Sequence, residues 1–172
     1  RTDSSAASDV YKRQGQIGEV ISKSDLNMKG YWNKPEATKE SIVDGWFYSG
    51  DAGFFDQEGY LFIHDRVKDM IVSGGENIYP AEVENALMSH NEILDAAVVG
   101  VPDDKWGESV KGFVVIGENS SLKEEDIISY SRTQIAAYKC PKSIEFIKEL
   151  PRNPSGKILR RELRDPYWEG ID

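Results

Sequence analysis

The chain has 172 residues and carries 21 lysines and arginines against 30 acidic residues, for a formal net charge of −9. This acidic balance disfavours nonspecific binding to nucleic acid or to anionic membranes, because both reward clustered positive charge. The single cysteine, Cys140, excludes an intrachain disulfide and a cysteine-based zinc site, and with only His64 and His90 no histidine-rich metal site is expected.

The N-terminal stretch, residues 1–14, is small, polar and unlike the rest of the chain. It lacks the apolar core of a signal peptide, so we interpret it as a disordered leader or a foreign sequence. No apolar run approaches the roughly 20 residues that span a bilayer, so no transmembrane segment is expected. A lone cysteine also fits a reducing compartment, and the predicted location is cytoplasmic.

Residues 15–65 are predicted to form mainly β-strands. Alternation in GQIGEVIS indicates a strand ending near Ser22, and PEATKESI is typical of a short helix with Pro35 in its first turn. Two aromatic-rich strands come next, GWFYSGDAGFFD and GYLFIHDR, joined by a turn that ends at Gly59. The charged stretch DRVKD, at 65–69, has neither helical nor strand periodicity and marks a boundary between two domains.

Residues 66–172 are predicted to mix strands and helices. MIVSGGENI indicates a strand that runs into a Gly74-Gly75 turn, and YPAEVENALMSH a helix. EILDAAVVGVP and SVKGFVVIGE indicate buried strands, KSIEFIKEL a last strand and ILRREL a last helical turn or two. A capping-box pattern from Ser121 to Glu124 predicts the start of another helix. The fold class is therefore α+β, with a β-rich region followed by a small mixed α/β domain.

Lys157 stands out in the stretch PRNPSGKILRREL. This is no phosphate-binding P-loop, because Pro151 replaces the first glycine and Ile158 replaces the hydroxyl residue. Pro154 and Gly156 favour a stiff turn, which suits a cation that must reach one place on an anion. An ordinary solvated lysine is the alternative.

Two other features allow a functional or a purely structural interpretation. Asp51, in YSGDAG, either caps a turn or accepts hydrogen bonds from a vicinal diol such as a ribose. Gly74 and Gly75 either form a plain turn or allow a ligand to approach the backbone closely.

Several stretches, taken in order, resemble the C-terminal third of adenylate-forming acyl-CoA ligases of the AMP-dependent synthetase/ligase superfamily. They are GYWNKPEATKESIVDGWFYSGDAGFFDQEGYLFIHDRVKDMIVSGGENIYPAEVE, VVGVPDDKWGESVKGFVV and LPRNPSGKILRREL. The tail LRDPYWEG resembles members that act on fatty or related acids, and the loop SGGENIYPAEVE favours CoA as the acceptor. The resemblance implies that residues 15–65 end the β-rich part of a large adenylation domain and that 66–172 form a small mobile C-terminal domain.

The resemblance assigns three residues to the first half-reaction, in which a carboxylate joins the α-phosphate of ATP. Lys157 matches the catalytic lysine of acyl-adenylate formation. Asp51 matches the acid that holds the ribose hydroxyls, and Arg66 matches a second nucleotide contact.

The resemblance assigns the remaining residues to the second half-reaction, in which the acyl group passes to CoA. Lys68 matches a hinge about which the small domain swings. Gly74 and Gly75 would then approach the pantetheine arm of CoA, and Tyr138 and Lys139 would contact its nucleotide.

The implied cofactors are ATP, CoA and Mg²⁺, and the implied partners are a small-molecule carboxylic acid and the larger N-terminal domain of the same protein. That domain is expected to hold the Mg²⁺ ligand and the acyl pocket, so no metal ligand is assigned here and this chain alone is expected to be inactive. An aryl-acid ligase, a luciferase-like oxygenase and a non-catalytic nucleotide- or CoA-binding module are the alternatives.

Overall fold

The computed structural model describes residues 15–171, so the predicted leader at 1–14 lies outside the described residues. The chain divides into two compact units between Lys68 and Asp69. The sequence placed the domain boundary before Arg66, close to this division. The assignment of the two parts to a large and a small mobile domain stays a prediction.

The first unit is built around one long strand. Its elements are β1 (Gly18–Ser22), α1 (Pro35–Ser41), β2 (Ile42–Val43), β3 (Trp46–Phe55) and β4 (Leu61–Arg66). Strand β3 pairs antiparallel with each of the other three strands. The Gly59 N–H donates to the Asp56 carbonyl at 3.2 Å in the turn between β3 and β4. The predicted aromatic hairpin is therefore confirmed.

A short 3₁₀ turn, Val67–Asp69, leads into the second unit. The elements of this unit are β5 (Ile71–Ser73), β6 (Glu76–Ile78), α2 (Pro80–Met88), β7 (Ile93–Asp103), β8 (Gly107–Ile116), α3 (Glu124–Gln134), β9 (Ser143–Phe146) and α4 (Arg160–Trp168). The strands join in the order β6-β5-β8-β7, and β9 pairs parallel to β8. The predicted α+β class is confirmed.

The long hairpin of β7 and β8 forms the centre of the second unit and is buried on both faces. One face packs under α2 and α3, with a core of Ile71, Ile78, Val83, Leu87, Ile93, Ala96, Val98, Val110, Val114, Ile127 and Ile144. The opposite face contributes Ala97, Val99, Val101, Phe113 and Leu150, against which Ile158, Leu163 and Tyr167 pack. Burial on both faces explains why these strands are continuous apolar runs in the sequence.

Two predicted helix limits were wrong. Helix α3 begins at Glu124, and Asp126 accepts a hydrogen bond from the Lys123 N–H at 3.1 Å, so Ser121 does not cap it. The Glu124 carboxylate instead accepts the Ile144 N–H of β9 at 2.8 Å. Helix α4 continues to Trp168, beyond the predicted turn or two, because Leu163 and Tyr167 pack on the sheet.

Candidate functional site

Asp51 and Arg66 lie together in the first unit. They are opposite each other in the pairing of β3 with β4, and Arg66 Nη1 donates to Asp51 Oδ1 at 2.6 Å. The Asp51 side chain is 30% exposed and that of Arg66 is 51% exposed, so solvent reaches the pair. The structure thus brings two predicted nucleotide contacts into one ion pair.

The backbone around Asp51 departs from regular strand geometry. The register between β1 and β3 shifts after Glu19, and Gly50 has φ 72°, a value that favours glycine. The Glu19 carboxylate accepts the Gly50 N–H and the Ser49 hydroxyl accepts the Asp51 N–H, both at 3.0 Å. A carboxylate offers about four lone-pair positions. The bond from Arg66 therefore leaves Asp51 with capacity for further donors.

Lys157 lies next to the turn at the tip of a small hairpin, residues 151–159, here called the lysine hairpin. An isolated β-bridge pairs Arg152 with Ile158, and Leu159 donates its N–H to the Pro151 carbonyl at 2.8 Å. Gly156, with φ 86°, forms the turn before Lys157. The sequence correctly indicated a tight turn at this glycine.

Side chains that the sequence analysis did not identify hold this hairpin. The Asn153 amide oxygen accepts the Ser155 N–H at 3.0 Å, the Ser155 hydroxyl at 2.8 Å and the Lys157 N–H at 2.9 Å. The Arg152 guanidinium donates to the Gly156 carbonyl at 2.6 Å and to Asp95 Oδ2 at 2.7 Å. Asparagine is a common turn residue, which was the only sequence signal for this role.

The Lys157 side chain is exposed. Among residues 69–171, no acidic side chain forms an ion pair with its ammonium group. A lysine cation on a braced turn is thereby available to an incoming anion.

The Gly74-Gly75 turn joins β5 to β6, and both glycines have positive φ, 60° and 86°. A two-residue hairpin loop with positive φ at both positions needs residues such as glycine. A Cβ at Gly74 would lie 2.6 Å from the Trp106 ring, whereas Gly75 has no atom within 4 Å of such a Cβ. The positive φ angles of the hairpin turn explain both glycines, and the Trp106 ring is a second reason for Gly74. The space beside Gly75 is open to a ligand.

Lys139 is engaged within the fold. Its ammonium group donates to both carboxylate oxygens of Glu82, each at 2.7 Å. Burial lowers the pKa of Lys139, but the hydrogen bond and charge of Glu82 outweigh it, so the pKa lies above its ordinary value. Tyr138, beside it, is 51% exposed. Of the two predicted CoA-nucleotide contacts, Tyr138 is the more exposed, although the Lys139 ammonium lies 5.7 Å from the centre of its ring.

A cluster around Trp106 escaped the sequence analysis. The Lys105 and Lys142 ammonium groups lie 4.5 Å and 5.2 Å from the centre of the Trp106 ring, and Lys142 also pairs with Asp103 at 3.2 Å. The hydrogen bond from the backbone N–H of Trp106, at 3.0 Å, is the main reason that the pKa of Asp103 is lowered. The sequence signals were that Asp103, Lys105 and Trp106 lie in the family-like stretch VVGVPDDKWGESVKGFVV and that Lys142 shares the segment AYKCPK with Tyr138.

Lys68, the predicted hinge, is exposed in the 3₁₀ turn where the two units divide. In the second unit the residue after it, Asp69, lies 3.8 Å from Arg160, which also forms a two-pronged ion pair with Glu84 at 2.9 Å and 2.7 Å. Sequence reasoning missed this network because its members are far apart along the chain.

The described residues show neither a metal site nor a membrane span. Within 15–171, no three His, Cys, Asp or Glu side chains form a group that could hold a metal ion. Over the same range, no helix has the length and apolar character that crossing a membrane requires. The Mg²⁺ expected with ATP is therefore assigned no ligand here.

Comparisons with known proteins place these features in a family. Residues 82–157 match the family described as the AMP-binding enzyme C-terminal domain. The chain is 49% identical over 154 residues to a fatty acid–[acyl-carrier-protein] ligase of Streptomyces coeruleorubidus and 48% identical over 158 residues to a long-chain-fatty-acid–CoA ligase of Mycobacterium tuberculosis. These matches cover 90% and 92% of this chain but 30% and 31% of the relatives. The chain thus spans about three tenths of their length.

A solved structure agrees with the sequence relatives. The o-succinylbenzoate CoA synthetase of Bacillus subtilis, in complex with its acyl-adenylate intermediate, has a TM-score of 0.81 and 39% identity to this chain. The match covers 90% of this chain and 31% of that protein. The expected resemblance to the adenylate-forming ligases is confirmed, and residues 82–157 carry the AMP-binding enzyme C-terminal domain.

Proposed function

We propose that this chain is the C-terminal part of an ATP-dependent acid–CoA ligase that activates a fatty acid as its acyl-adenylate and transfers it to CoA. The observation that carries the proposal is Lys157, an exposed cation without an ion-pair partner in residues 69–171, presented on the braced lysine hairpin. Membership of the family supports it, since relatives with this sequence pattern are named as ligases.

In the first half-reaction, a carboxylate oxygen attacks the α-phosphorus of ATP, and the bond from that phosphorus to pyrophosphate breaks. Two anions must approach each other while charge grows on the leaving pyrophosphate. The Lys157 ammonium would lie between them and offset their repulsion. At about 4 Å and an effective dielectric of about 20, one such charge pair is worth roughly 4 kcal/mol.

The Asp51–Arg66 ion pair would hold the nucleotide. The ribose hydroxyls donate to the free lone pairs of the Asp51 carboxylate, which is acceptor-only when ionised. Arg66 fixes the orientation of that carboxylate through the 2.6 Å hydrogen bond and brings positive charge near the phosphates. The pair would therefore orient ATP before the reaction and retain AMP afterwards.

In the second half-reaction, the thiol sulfur of CoA attacks the acyl carbonyl carbon, the bond from that carbon to AMP breaks, and the thiol proton leaves to solvent or a base. Lys157 has no part in this step. We propose that the second unit turns about Lys68, which withdraws Lys157 and brings the Gly74-Gly75 turn to the pantetheine arm.

The surface next to Gly74 suits the rest of CoA. The Trp106 ring is 42% exposed, so a purine can stack on it, and the ammonium group of Lys105 can attract phosphates. Lys142 pairs with Asp103 at 3.2 Å, but its side chain is 46% exposed, more than the 20% of Lys139, so it can reach a phosphate as well. Tyr138 remains a candidate contact, whereas Lys139 is already held by Glu82. We therefore propose that Gly74, Gly75 and Tyr138 contact CoA, and we add Trp106 and Lys142 to these contacts. Lys139 is the least favoured of the predicted CoA contacts.

A two-step assay tests the proposed function. The full-length ligase, given ATP, a panel of fatty and aryl acids and then CoA, should release pyrophosphate, accumulate acyl-adenylate and convert it to thioester, best with a fatty acid. The 172-residue chain alone should form no acyl-adenylate, because it spans only about three tenths of the length of its relatives and the acyl pocket and Mg²⁺ ligand are expected in the larger domain. If aryl acids are preferred, the substrate assignment is wrong. If no acid is activated but the chain binds AMP or CoA, a non-catalytic binding module is the better interpretation.

A further inference from the structure

Within residues 69–171, the side-chain hydrogen bond that links the lysine hairpin to strand β7 comes from Arg152. Arg152 donates from Nη1 to the Gly156 carbonyl at 2.6 Å and from Nη2 to Asp95 Oδ2 at 2.7 Å. Gly156 immediately precedes Lys157. Asp95 lies on β7, which pairs with β8 along nearly its whole length. One planar guanidinium thus links the backbone next to Lys157 to the longest strand pair of the unit.

The hairpin has few other attachments near its tip. The Asn153 side chain closes the turn by accepting three donors, but Asn153 itself belongs to the hairpin, so these bonds fix its shape and not its position. Ile158, at its base, packs on the apolar face that includes Phe113 and Leu150. The Arg152–Asp95 bond is therefore what sets the height and direction of the tip relative to the sheet.

From these contacts we propose that Arg152 and Asp95 are positioning residues for Lys157: they hold the lysine hairpin at the height from which the ammonium group reaches the reacting phosphate. Neither residue touches a substrate in this role. The inference rests on the proposed function, because it concerns the lysine that serves the first half-reaction. A displacement of about 1 Å in a group that must meet a transition state can cost about 100-fold in rate.

Arginine is needed because two acceptors must be reached at once. Its forked, planar guanidinium offers parallel N–H donors to Asp95 and to the Gly156 carbonyl, whereas a lysine ammonium is a point charge on a flexible stem. Arg152→Lys should therefore keep one contact and restore only part of the function lost in Arg152→Ala. Asp95→Asn, which keeps the shape of the anchor and removes its charge, is a second and milder disruption.

The test compares both half-reactions in the full-length ligase. Arg152→Ala should slow acyl-adenylate formation about 10- to 100-fold while thioester formation from supplied acyl-adenylate stays within about twofold. Asp95→Asn should give a smaller loss of the same kind. Arg161→Ala is the matched control, because Arg161 is 84% exposed, pairs with Asp165 at 3.3 Å and lies on the neighbouring helix. An equal loss in both half-reactions would show a merely structural role and overturn the proposal.

A second readout separates this inference from the proposed function. In the 172-residue chain, ¹⁵N relaxation should give Gly156 and Lys157 backbone order parameters near 0.85, falling below about 0.6 in Arg152→Ala. Unchanged order parameters would overturn the positioning role even if Lys157→Ala abolishes adenylation. Conversely, if the hairpin loosens in Arg152→Ala but Lys157→Ala leaves adenylation intact, the tether is real and the proposed catalytic function of Lys157 is wrong.

Discussion

Lys157 lies at the tip of the lysine hairpin, whereas Lys139 lies in a 3₁₀ turn, Ala137–Lys139, next to helix α2. The Lys157 ammonium forms no ion pair with any side chain of residues 69–171, and the hydrogen bonds of this residue are made by its backbone, whose N–H donates to Asn153 Oδ1 and whose carbonyl accepts the Asn153 N–H. The Lys139 ammonium is bound by both oxygens of Glu82, and its side chain is only 20% exposed.

The difference concerns how available each positive charge is. An ammonium group held by a carboxylate has already exchanged its water for a protein partner, so an incoming phosphate would have to displace Glu82 or share the charge. An exposed ammonium group on a braced turn faces no such competition. We therefore expect Lys157 to act on a substrate and Lys139 mainly to stabilise the fold, although both resemble functional positions of the family.

The largest expected effect separates the two lysines directly. In the full-length ligase, Lys157→Ala should slow acyl-adenylate formation about 10²- to 10³-fold, because a preorganised cation at the transferring phosphoryl group is lost. Lys139→Ala should change the same rate by less than about threefold. The rate of pyrophosphate release in single-turnover experiments measures acyl-adenylate formation in both variants.

The exposed Lys148, in the segment before the hairpin, is a matched control, and Lys148→Ala should leave both half-reactions unchanged. Thioester formation from supplied acyl-adenylate should also survive in Lys157→Ala. If Lys139→Ala slowed adenylation as much as Lys157→Ala, the comparison of the two lysines would fail.

The sequence predicted the fold well where burial dictates pattern. The runs in β7 and β8 are apolar because both faces of that hairpin are covered, and the alternating aromatic strands β3 and β4 pair as expected. It failed at the start of α3, since Ser121 and Asp126 both belong to acceptable capping patterns and tertiary contacts decide between them. The contact of Glu124 with β9 joins residues twenty apart, which no local pattern contains.

The candidate site was predictable only in part, for a similar reason. Lys157, Asp51 and Gly74 are marked by local composition and by resemblance to a family. The partners that determine what those residues can do are distant in sequence: Asp95 with Arg152, Glu82 with Lys139, and Trp106 with Lys142. Charge availability is thus a tertiary property: the sequence assigned the two lysines to different half-reactions but could not show that Glu82 holds Lys139.

A smaller effect is expected at the predicted hinge, Lys68. Lys157 is assigned to the first half-reaction and Lys68 to the rotation that precedes the second, so a variant at Lys68 should affect the opposite step. Proline at position 68 fixes φ near −65°, so Lys68→Pro should hinder rotation of the second unit. Thioester formation from supplied acyl-adenylate should fall about tenfold or more, while acyl-adenylate formation stays within about threefold. Lys68→Ala is the control that removes the charge but keeps the backbone free. Normal thioester formation in Lys68→Pro would show that the hinge lies elsewhere.

The smallest effect tests the structural role of Lys139. Lys139→Met should lower the free energy of unfolding by about 1.5–3 kcal/mol at neutral pH, because a hydrogen bond between charged, partly buried groups is lost. The folded-state pKa of Lys139 is raised above its ordinary 10.5, so the stabilisation is complete below pH 10.5 and disappears as the pH rises through the folded-state pKa. Urea unfolding of both proteins from pH 7 to pH 11.5 measures this difference. A difference that stays constant across this range would mean that the Glu82 bond adds nothing to stability. The contrast between the two lysines would then have no energetic basis.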